Sequence, residues 1–281
     1  MVKVLNGGTS VDWLISENWH ADQISTRGRF SEPLRSSRVL LLGAGALGSA
    51  VGEMLVRSGV RQVTVMDGDH FEVGNLVRHN LMVNDVGDQK ARALARHLNQ
   101  LSPHAQVDSI DVNFPPLSED DQARVRACDI VLNCTADREV LYHLETFEWD
   151  HPVLFVCLSV GRGATRLYFF TAYGSEFLGE TLLEMLAPWA SVPVPRAHDA
   201  VDEQGEQDQD DELPWAGVGC WHPVFPARAD DIGMMASVAV KQFQDVIAKG
   251  TVEPRLSVFE QQREGGFFQG VKQVVLGVAC A

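Results

Sequence analysis

The chain has 281 residues, which is enough for one large α/β domain or two smaller ones. Its 45% hydrophobic residues can supply a core, and its net charge of −15 argues against general binding to nucleic acid or anionic membrane surfaces. No apolar run reaches the roughly 18 residues that cross a bilayer. The sequence carries neither a signal-peptide pattern nor a disulfide framework among its five cysteines, so we expect a cytoplasmic location.

Strand and helix patterns begin after residue 36, whereas residues 1–36 form a polar and irregular N-terminal arm. From there to residue 158, short apolar runs alternate with segments of helical periodicity. Strands are predicted at 39–42, 62–66, 129–134 and 153–158, and helices at 47–57, 86–101, 119–127 and 138–147. Strands buried on both faces and separated by helices are typical of α/β proteins. We therefore expect a Rossmann-like parallel sheet flanked by helices.

The pattern changes after residue 160, where a few further strands are expected to continue the sheet in antiparallel orientation. One is predicted at 164–170 and one or two more after residue 256. Helices are predicted at 178–187 and 232–247. Residues 198–213 carry many carboxylates and almost no apolar side chains, so we expect a mobile, solvated loop there.

Gly43, Gly45 and Gly48 form a GxGxxG turn directly between a predicted strand and a predicted helix. The first glycine permits a tight turn, the second lets phosphate oxygens approach the backbone, and the third allows close packing of helix and strand. The start of the helix then offers N–H groups to an anion. This motif predicts a nucleotide without selecting one. Asp67, at the end of the second strand, would bind a ribose hydroxyl in an NAD enzyme or in an ATP enzyme.

The residues that follow distinguish between these two nucleotides. They read DGD at 67–69, GNLVRH at 74–79, VGDQKA at 86–91 and SP at 102–103. This series resembles the ubiquitin-activating-enzyme-like superfamily of ThiF-type adenylyltransferases, whose pattern is D-x-D, [SG]-N-L-x-R-Q, V-G-x-x-K-A and then N-P. The resemblance is close over residues 27–158 and looser over 215–248. Residues 37–281 would then be the ATP-binding adenylyltransferase domain.

Adenylation of a carboxylate suits the residues found in these motifs. The carboxylate attacks the α-phosphate of ATP and pyrophosphate leaves, so cations are needed around the phosphates. Arg78, from a loop, and Lys90, from the first turn of a helix, can supply two of them, and Asn75 can hold ribose or a phosphate oxygen through its amide. The resemblance implies that Asp67 binds the ribose and that an aspartate after the fourth strand binds Mg²⁺. Asp137 is the candidate, although it stands one residue beyond the family's C-T-D-N position.

Two further residues are implied by the resemblance. Related enzymes use an arginine from the N-terminal arm of a partner subunit, so Arg29, or Arg27, is a candidate and a homodimer is expected. Some family members move the acyl group to a cysteine near a flexible loop and just before a helix of small residues, which is the position of Cys220. A buried, unreactive cysteine is the alternative. Cys128, Cys134 and Cys157, in or beside predicted strands, are expected to be structural.

The sequence thus predicts ATP- and Mg²⁺-dependent adenylation of the C-terminal carboxylate of a small ubiquitin-like or sulfur-carrier protein ending in glycine. Transfer to Cys220 would follow if that thiol reacts. The stretch at 219–231 resembles divergent bacterial ubiquitin-transfer-like systems. The alternatives are an NAD(P)-dependent oxidoreductase, a tRNA-modifying adenylating dehydratase, which the acidic charge disfavours, and a catalytically silent partner subunit. The first leaves Asn75, Arg78 and Lys90 without a role.

Overall fold

A computed structural model describes residues 14, 16–24, 26, 28–192, 227–250 and 253–274 of the chain. Over these residues, eight strands form one sheet in the order β3-β2-β1-β4-β5-β6-β7-β8. The strands are β1 (Arg38–Leu42), β2 (Gln62–Met66), β3 (Gln106–Ile110), β4 (Ile130–Asn133), β5 (Val153–Val160), β6 (Arg166–Gly174), β7 (Arg255–Glu264) and β8 (Phe267–Val274).

The sheet has a parallel half and an antiparallel half. Strands β1 to β5 are mutually parallel, with Val39 opposite both Val63 of β2 and Ile130 of β4. Strands β6, β7 and β8 then extend the sheet in antiparallel orientation. The predicted fold class, a Rossmann-like parallel sheet with a few antiparallel strands added, is confirmed.

Helices cover both faces of the sheet. Over the described residues they are α1 (Ala21–Ile24), α2 (Glu32–Ser36), α3 (Ala46–Arg57), α4 (Lys90–Leu101), α5 (Glu119–Arg126), α6 (Arg138–Thr146), α7 (Gly179–Leu186) and α8 (Ala229–Lys249). Successive side chains of a strand point to opposite faces, so β1 contributes to two cores. Val39 and Leu41 pack with α3, α4 and α8, whereas Leu40 and Leu42 pack with α5, α6 and α7.

Three features differ from the sequence prediction. Strand β3 was not predicted, because only two of its five residues, Val107 and Ile110, are buried and its apolar pattern is weak. Helix α4 begins at Lys90 rather than at residue 86, since Gly87 has a φ of +94°, which a right-handed helix excludes. The N-terminal arm, predicted to be irregular, contains α1 and α2, and Leu34 of α2 is fully buried in the core.

The predicted acidic loop at 198–213 lies outside the described residues. None of the helices in the described ranges has the length and apolar character that a bilayer-spanning segment requires.

Candidate functional site

A cleft of about 420 Å³ opens at the carboxyl ends of β1, β2 and β4. The chain runs outward from β1 to β2 and β3 and then returns to place β4 on the other side of β1, so the cleft lies where the strand order reverses. In open parallel sheets, ligands bind at this position. Seven of the ten residues predicted for the site line the cleft: Gly43, Gly45, Asp67, Asn75, Arg78, Lys90 and Asp137.

The three glycines of the turn between β1 and α3 are each needed for a different steric reason. Gly43 adopts a φ of +88°, and a Cβ there would lie 3.1 Å from the Thr135 backbone nitrogen. A Cβ on Gly48 would lie 2.0 Å from the carbonyl oxygen of Gly43, so this glycine permits the helix to pack on the turn. Gly45 is different, because a Cβ there would meet no heavy atom of the described chain within 4 Å. Gly45 thus leaves room beside the backbone at the start of α3, as a bound phosphate requires.

Asp67 joins the end of β2 to the glycine turn. Its Oδ2 accepts a hydrogen bond from the Ala44 N–H at 2.6 Å, and its Oδ1 accepts one from the Asp69 N–H at 2.8 Å. Burial raises the pKa of the Asp67 carboxyl, while these two donors and the nearby Lys90 charge oppose the rise. A carboxylate has about four acceptor positions, so capacity for ribose hydroxyls is left after both backbone bonds.

Lys90 is the first residue of α4 and reaches back to the D-x-D motif. Its Nζ lies 2.9 Å from Asp69 Oδ2, and its backbone N–H donates to the Asp69 carbonyl at 2.8 Å. The Lys90 side chain is 8% exposed and that of Asp69 is 56% exposed. Lys90 is therefore a buried cation with its charge already paired at the cleft.

Asn75 and Arg78 lie on a short 3₁₀ helix, Val73–Val77, and at its end. The Asn75 Oδ1 accepts a hydrogen bond from the Glu72 N–H at 3.0 Å, which fixes the start of the turn. The Arg78 N–H donates to the Asn75 carbonyl at 3.2 Å. Arg78 is only 9% exposed although it lines the cleft. Arg78 was predicted to supply a cation from a loop; it lies at the end of this short helix, and its catalytic role stays a prediction.

Asp137 follows β4 and caps helix α6. Its Oδ1 accepts from the Glu139 N–H at 2.8 Å, and its own N–H donates to Thr135 Oγ1 at 3.2 Å. Ala136, at the position of the family's aspartate, has a φ of +52°. Asp137 and Glu139 are both exposed at the cleft.

Whether these carboxylates suit Mg²⁺ depends on what else would bind the ion. Mg²⁺ is usually held by one or two protein carboxylates together with substrate phosphates and waters. Within the described ranges, no three potential metal-binding side chains gather. The donor set therefore fits a metal that arrives with a nucleotide and touches Asp137, rather than a metal centre preformed by the protein.

Several cleft residues were not predicted as site residues. His79 follows Arg78, and its Nε2 lies 2.6 Å from the Ala44 carbonyl oxygen. Asn113 and Phe114 come after β3, and the Asn113 Oδ1 accepts from the Gly68 N–H at 3.1 Å. His79 stands where the family pattern has glutamine, so its position was a usable signal. Asn113 and Phe114 gave no signal, since the strand that delivers them was itself not predicted.

Three predicted site residues are absent from the lining that the described residues form. Gly48 packs against the turn, as above. Arg29 is exposed and lies 3.5 Å from the Asp22 carboxylate, so the structure of one chain does not bring it to the cleft. Cys220 lies outside the described residues, as does Arg27, the alternative to Arg29.

The three cysteines predicted to be structural are buried. Burial raises the pKa of the Cys128 and Cys157 thiols to about 12, so they would not ionise near neutral pH. Cys134 directly follows β4 and contributes to the cleft wall.

Comparison with known proteins places this cleft in a family. The "ATP-dependent ubiquitin transferase-like protein Cap2" of Enterobacter hormaechei is 38% identical over 232 residues, which cover 82% of this chain and 36% of Cap2. The "tRNA threonylcarbamoyladenosine dehydratase 2" of Saccharomyces cerevisiae is 31% identical over 136 residues, 47% of this chain and 30% of that protein. The chain thus spans about a third of the length of these curated relatives.

A solved structure, Escherichia coli MccB with ATP, has the same fold. It superposes with a TM-score of 0.53 at 16% identity, over 87% of this chain and 65% of MccB. Residues 18–213, which include every cleft residue described above, match the ThiF family. The chain therefore belongs to the ThiF family.

Proposed function

We propose that this chain uses ATP to adenylate the C-terminal carboxylate of a small ubiquitin-like or sulfur-carrier protein that ends in glycine. One observation carries the proposal. A single cleft is lined by an open glycine turn, a carboxylate suited to ribose and two buried cations, Arg78 and Lys90. Cap2, whose match covers 82% of this chain, is named as an ATP-dependent ubiquitin transferase-like protein, which supports the substrate class.

The cleft residues divide into those that hold the nucleoside and those that face the phosphates. Asp67 would accept the ribose hydroxyls, and the open space beside Gly45 would receive a phosphate at the start of α3. Mg²⁺, when bound through Asp137, would neutralise part of the phosphate charge.

Arg78 and Lys90 would act on the charge that moves during reaction. A carboxylate oxygen of the acceptor forms a bond to the α-phosphorus, the bond to the leaving pyrophosphate breaks, and negative charge grows on the pyrophosphate. Fixed cations that need no rearrangement stabilise such charge in a site that excludes water. Both side chains are almost fully buried in the free protein, so their positions are set before ATP arrives.

A second step, transfer of the acyl group to Cys220, is proposed on sequence grounds. The thiolate would attack the acyl carbon of the adenylate and AMP would leave, giving a thioester. The support is the position of Cys220 between a carboxylate-rich segment and helix α8.

We also propose that the active form is a cytoplasmic homodimer in which Arg29 of one copy serves the cleft of the other. Support comes from an exposed apolar segment next to Asn75 and Arg78. Val73, Val77, Met82 and Val83 are each at least 63% exposed, and such patches mark protein interaction sites. Replacing Val77 and Val83 by aspartate is expected to give a monomer in light scattering. A dimer that persists in this double variant would place the interface elsewhere.

An adenylating tRNA dehydratase is the second candidate. It is favoured by the similarity to the yeast dehydratase, which covers 47% of this chain. The net charge of −15 disfavours an RNA substrate, because phosphate recognition needs clustered basic side chains.

The two candidates are separated by ATP–pyrophosphate exchange. Small proteins ending in glycine would be compared with the same proteins lacking the terminal glycine, and with tRNA. We expect exchange only with an intact C-terminal glycine. Exchange stimulated by tRNA alone would overturn the proposed substrate and favour the dehydratase.

A further inference from the structure

The peptide groups of Ala44, in the middle of the glycine turn, are held from both sides. Its N–H donates to Asp67 Oδ2 at 2.6 Å, and its carbonyl oxygen lies 2.6 Å from His79 Nε2. Ala44 is itself buried. The turn that faces the cleft is thus fixed at both ends of one residue, by side chains that lie 23 and 35 positions further along the chain.

The surroundings of His79 determine which ring nitrogen carries the proton. The Leu81 N–H donates to His79 Nδ1 at 3.0 Å, so Nδ1 is an acceptor and Nε2 carries the hydrogen in the neutral ring. Nε2–H can then donate to the Ala44 carbonyl. The ring also packs against Phe71, with centroids 4.9 Å apart, which limits its rotation.

Burial of the His79 ring is the largest factor that favours this neutral form. Burial lowers the pKa of His79 to about 4. Lys90 and His97 act in the same direction, whereas the hydrogen bond to Ala44 and the Asp85 carboxylate oppose it. In the neutral ring Nδ1 stays free to accept from the Leu81 N–H while Nε2–H donates to the Ala44 carbonyl, so both bonds are present across the neutral pH range.

The next residue ties the same segment to helix α3. Asn80 Nδ2 donates to Glu53 Oε2 at 2.8 Å, and Glu53 also bonds His97 of α4 at 2.9 Å. Three consecutive residues thus have three different contacts. Arg78 lines the cleft, His79 holds the glycine turn, and Asn80 holds the helix that begins at that turn.

We propose that His79 is a positioning residue of the nucleotide site, which sets Arg78 and the N–H groups of the glycine turn at a fixed separation through its Nε2–H bond to Ala44. This inference rests on the proposed function. His79 itself need not touch the nucleotide. Small displacements of a bound substrate from its catalytic groups lower the reaction rate steeply. Arg78 and the glycine turn both line the nucleotide cleft, so loss of this bond should weaken the binding of ATP more than the binding of the acceptor protein.

Two variants separate the donor from the bulk of the ring. His79→Gln retains a side-chain N–H that can reach a carbonyl, whereas His79→Phe retains an aromatic ring against Phe71 but has no donor. Isothermal titration would give the Kd for ATP, and pyrophosphate exchange would give kcat and the KM values for ATP and for the acceptor.

We expect His79→Gln to bind ATP within about threefold of wild type, and His79→Phe to raise the Kd and KM for ATP about tenfold. The KM for the acceptor should not change. A partly unfolded variant would lower the apparent kcat through its smaller active fraction and leave both KM values alone. A His79→Phe variant with wild-type affinity for ATP, or a glutamine variant as weak as the phenylalanine variant, would overturn the inference.

Nitrogen-15 NMR of the histidine rings in the wild-type protein tests the same point without a variant. We expect His79 to carry its proton on Nε2, and a proton on Nδ1 would overturn the inference. Wild-type protein that binds no ATP would overturn the proposed function and this inference together. ATP binding by wild type with a failed His79 test would overturn this inference alone.

Discussion

The Lys90 ammonium group lies 2.9 Å from Asp69 Oδ2, in an ion pair where the cation is buried and the carboxylate is more than half exposed. A buried cation that loses its counter-charge is destabilising, whereas an exposed carboxylate is readily solvated. The pair therefore holds the Lys90 side chain in place at the cleft before any nucleotide arrives. When a phosphate enters the cleft, the Lys90 ammonium can contact it in place of Asp69 or together with Asp69. The lysine side chain stays buried in either case.

Asp69→Asn should consequently destabilise the free protein more than the ATP-bound protein. We expect a loss of about 1 kcal/mol in the free energy of unfolding without ligand, because Asp69 is largely solvated. Phosphates would supply the missing negative charge, so the rise in Tm on adding ATP should be larger than in wild type. Thermal unfolding with and without ATP measures both quantities. An equal rise in the two proteins would contradict a direct contact between Lys90 and phosphate.

Arg78→Ala and Lys90→Met should each reduce pyrophosphate exchange about a hundredfold, which is typical when one preorganised charge-stabilising group is removed. Methionine retains most of the buried lysine stem. Arg92→Ala is the matched control, since Arg92 lies on the same helix and pairs with Asp111 but is mostly exposed and away from the cleft lining. If Arg92→Ala lowers exchange as much as Lys90→Met, the effect belongs to α4 as a whole.

Gly45→Ala is expected to fold normally and to lose ATP affinity about tenfold or more. In the described structure its Cβ meets nothing within 4 Å, and its backbone angles, φ −77° and ψ −166°, suit alanine. The methyl group would occupy the space reserved for a phosphate. Gly233→Ala, where a Cβ also meets open space but on helix α8, is the control for an added methyl group. An unchanged affinity of Gly45→Ala for ATP would show that no phosphate of ATP lies beside Gly45.

The lowered pKa of His79 predicts that the protein loses stability in mild acid. This pKa is about 4 in the folded protein and about 6.5 in the unfolded chain. Below pH 6.5 the unfolded chain therefore binds a proton at His79 that the folded protein does not bind. Stability is therefore full above pH 6.5 and falls as the pH drops toward 4. The expected loss between pH 7.5 and pH 5 is about 2 kcal/mol.

Urea unfolding at the two pH values measures this loss, and His79→Gln should abolish most of it. Glu53 contributes in a separate window, because its pKa is lowered to about 2, with burial opposing the hydrogen bonds from His97, Asn80 and Arg57 that lower it. Its stabilisation is present above pH 4.5 and is lost as the pH falls toward 2. A glutamine variant at position 79 with the full loss at pH 5 would assign the effect to another group.

Cys220→Ala separates the two proposed chemical steps. Adenylation needs only the cleft, so the variant should retain pyrophosphate exchange. Transfer to sulfur needs the thiol, so the variant should form no thiol-sensitive adduct with the acceptor protein. Intact-mass measurement with and without reductant detects the adduct. An adduct that persists in Cys220→Ala would assign the accepting thiol elsewhere.

The parts of the site that the sequence predicted are those encoded locally. The strand-turn-helix around Gly43, Gly45 and Gly48 depends on neighbouring residues and periodicity, and the order of Asp67, Asn75, Arg78 and Lys90 carried the family resemblance. A parallel sheet with helices on both faces then follows from wholly apolar strands separated by helices. These patterns sufficed for the fold class and for most of the cleft lining.

The unpredicted parts depend on contacts between distant residues. His79 meets Ala44 across 35 residues and Lys90 meets Asp69 across 21, and neither pairing leaves a periodic trace in the sequence. Strand β3 is formed by residues with a mixed polar pattern at the edge of the sheet, where pairing with β2 rather than burial holds it. These two contacts and strand β3 therefore depend on the tertiary structure and not on the local sequence.

The most direct test of adenylation follows the phosphorus atoms of ATP. Cys220→Ala protein, which should stop at the acyl-adenylate, would be incubated with a small acceptor protein ending in glycine and with ATP labelled at either the α- or the γ-phosphorus. We predict that the α-label becomes attached to the acceptor as acyl-adenylate and that the γ-label leaves as pyrophosphate. Label on the acceptor from the γ-phosphorus, or no label from either position with an acceptor whose intact C-terminus stimulates ATP consumption, would contradict adenylation.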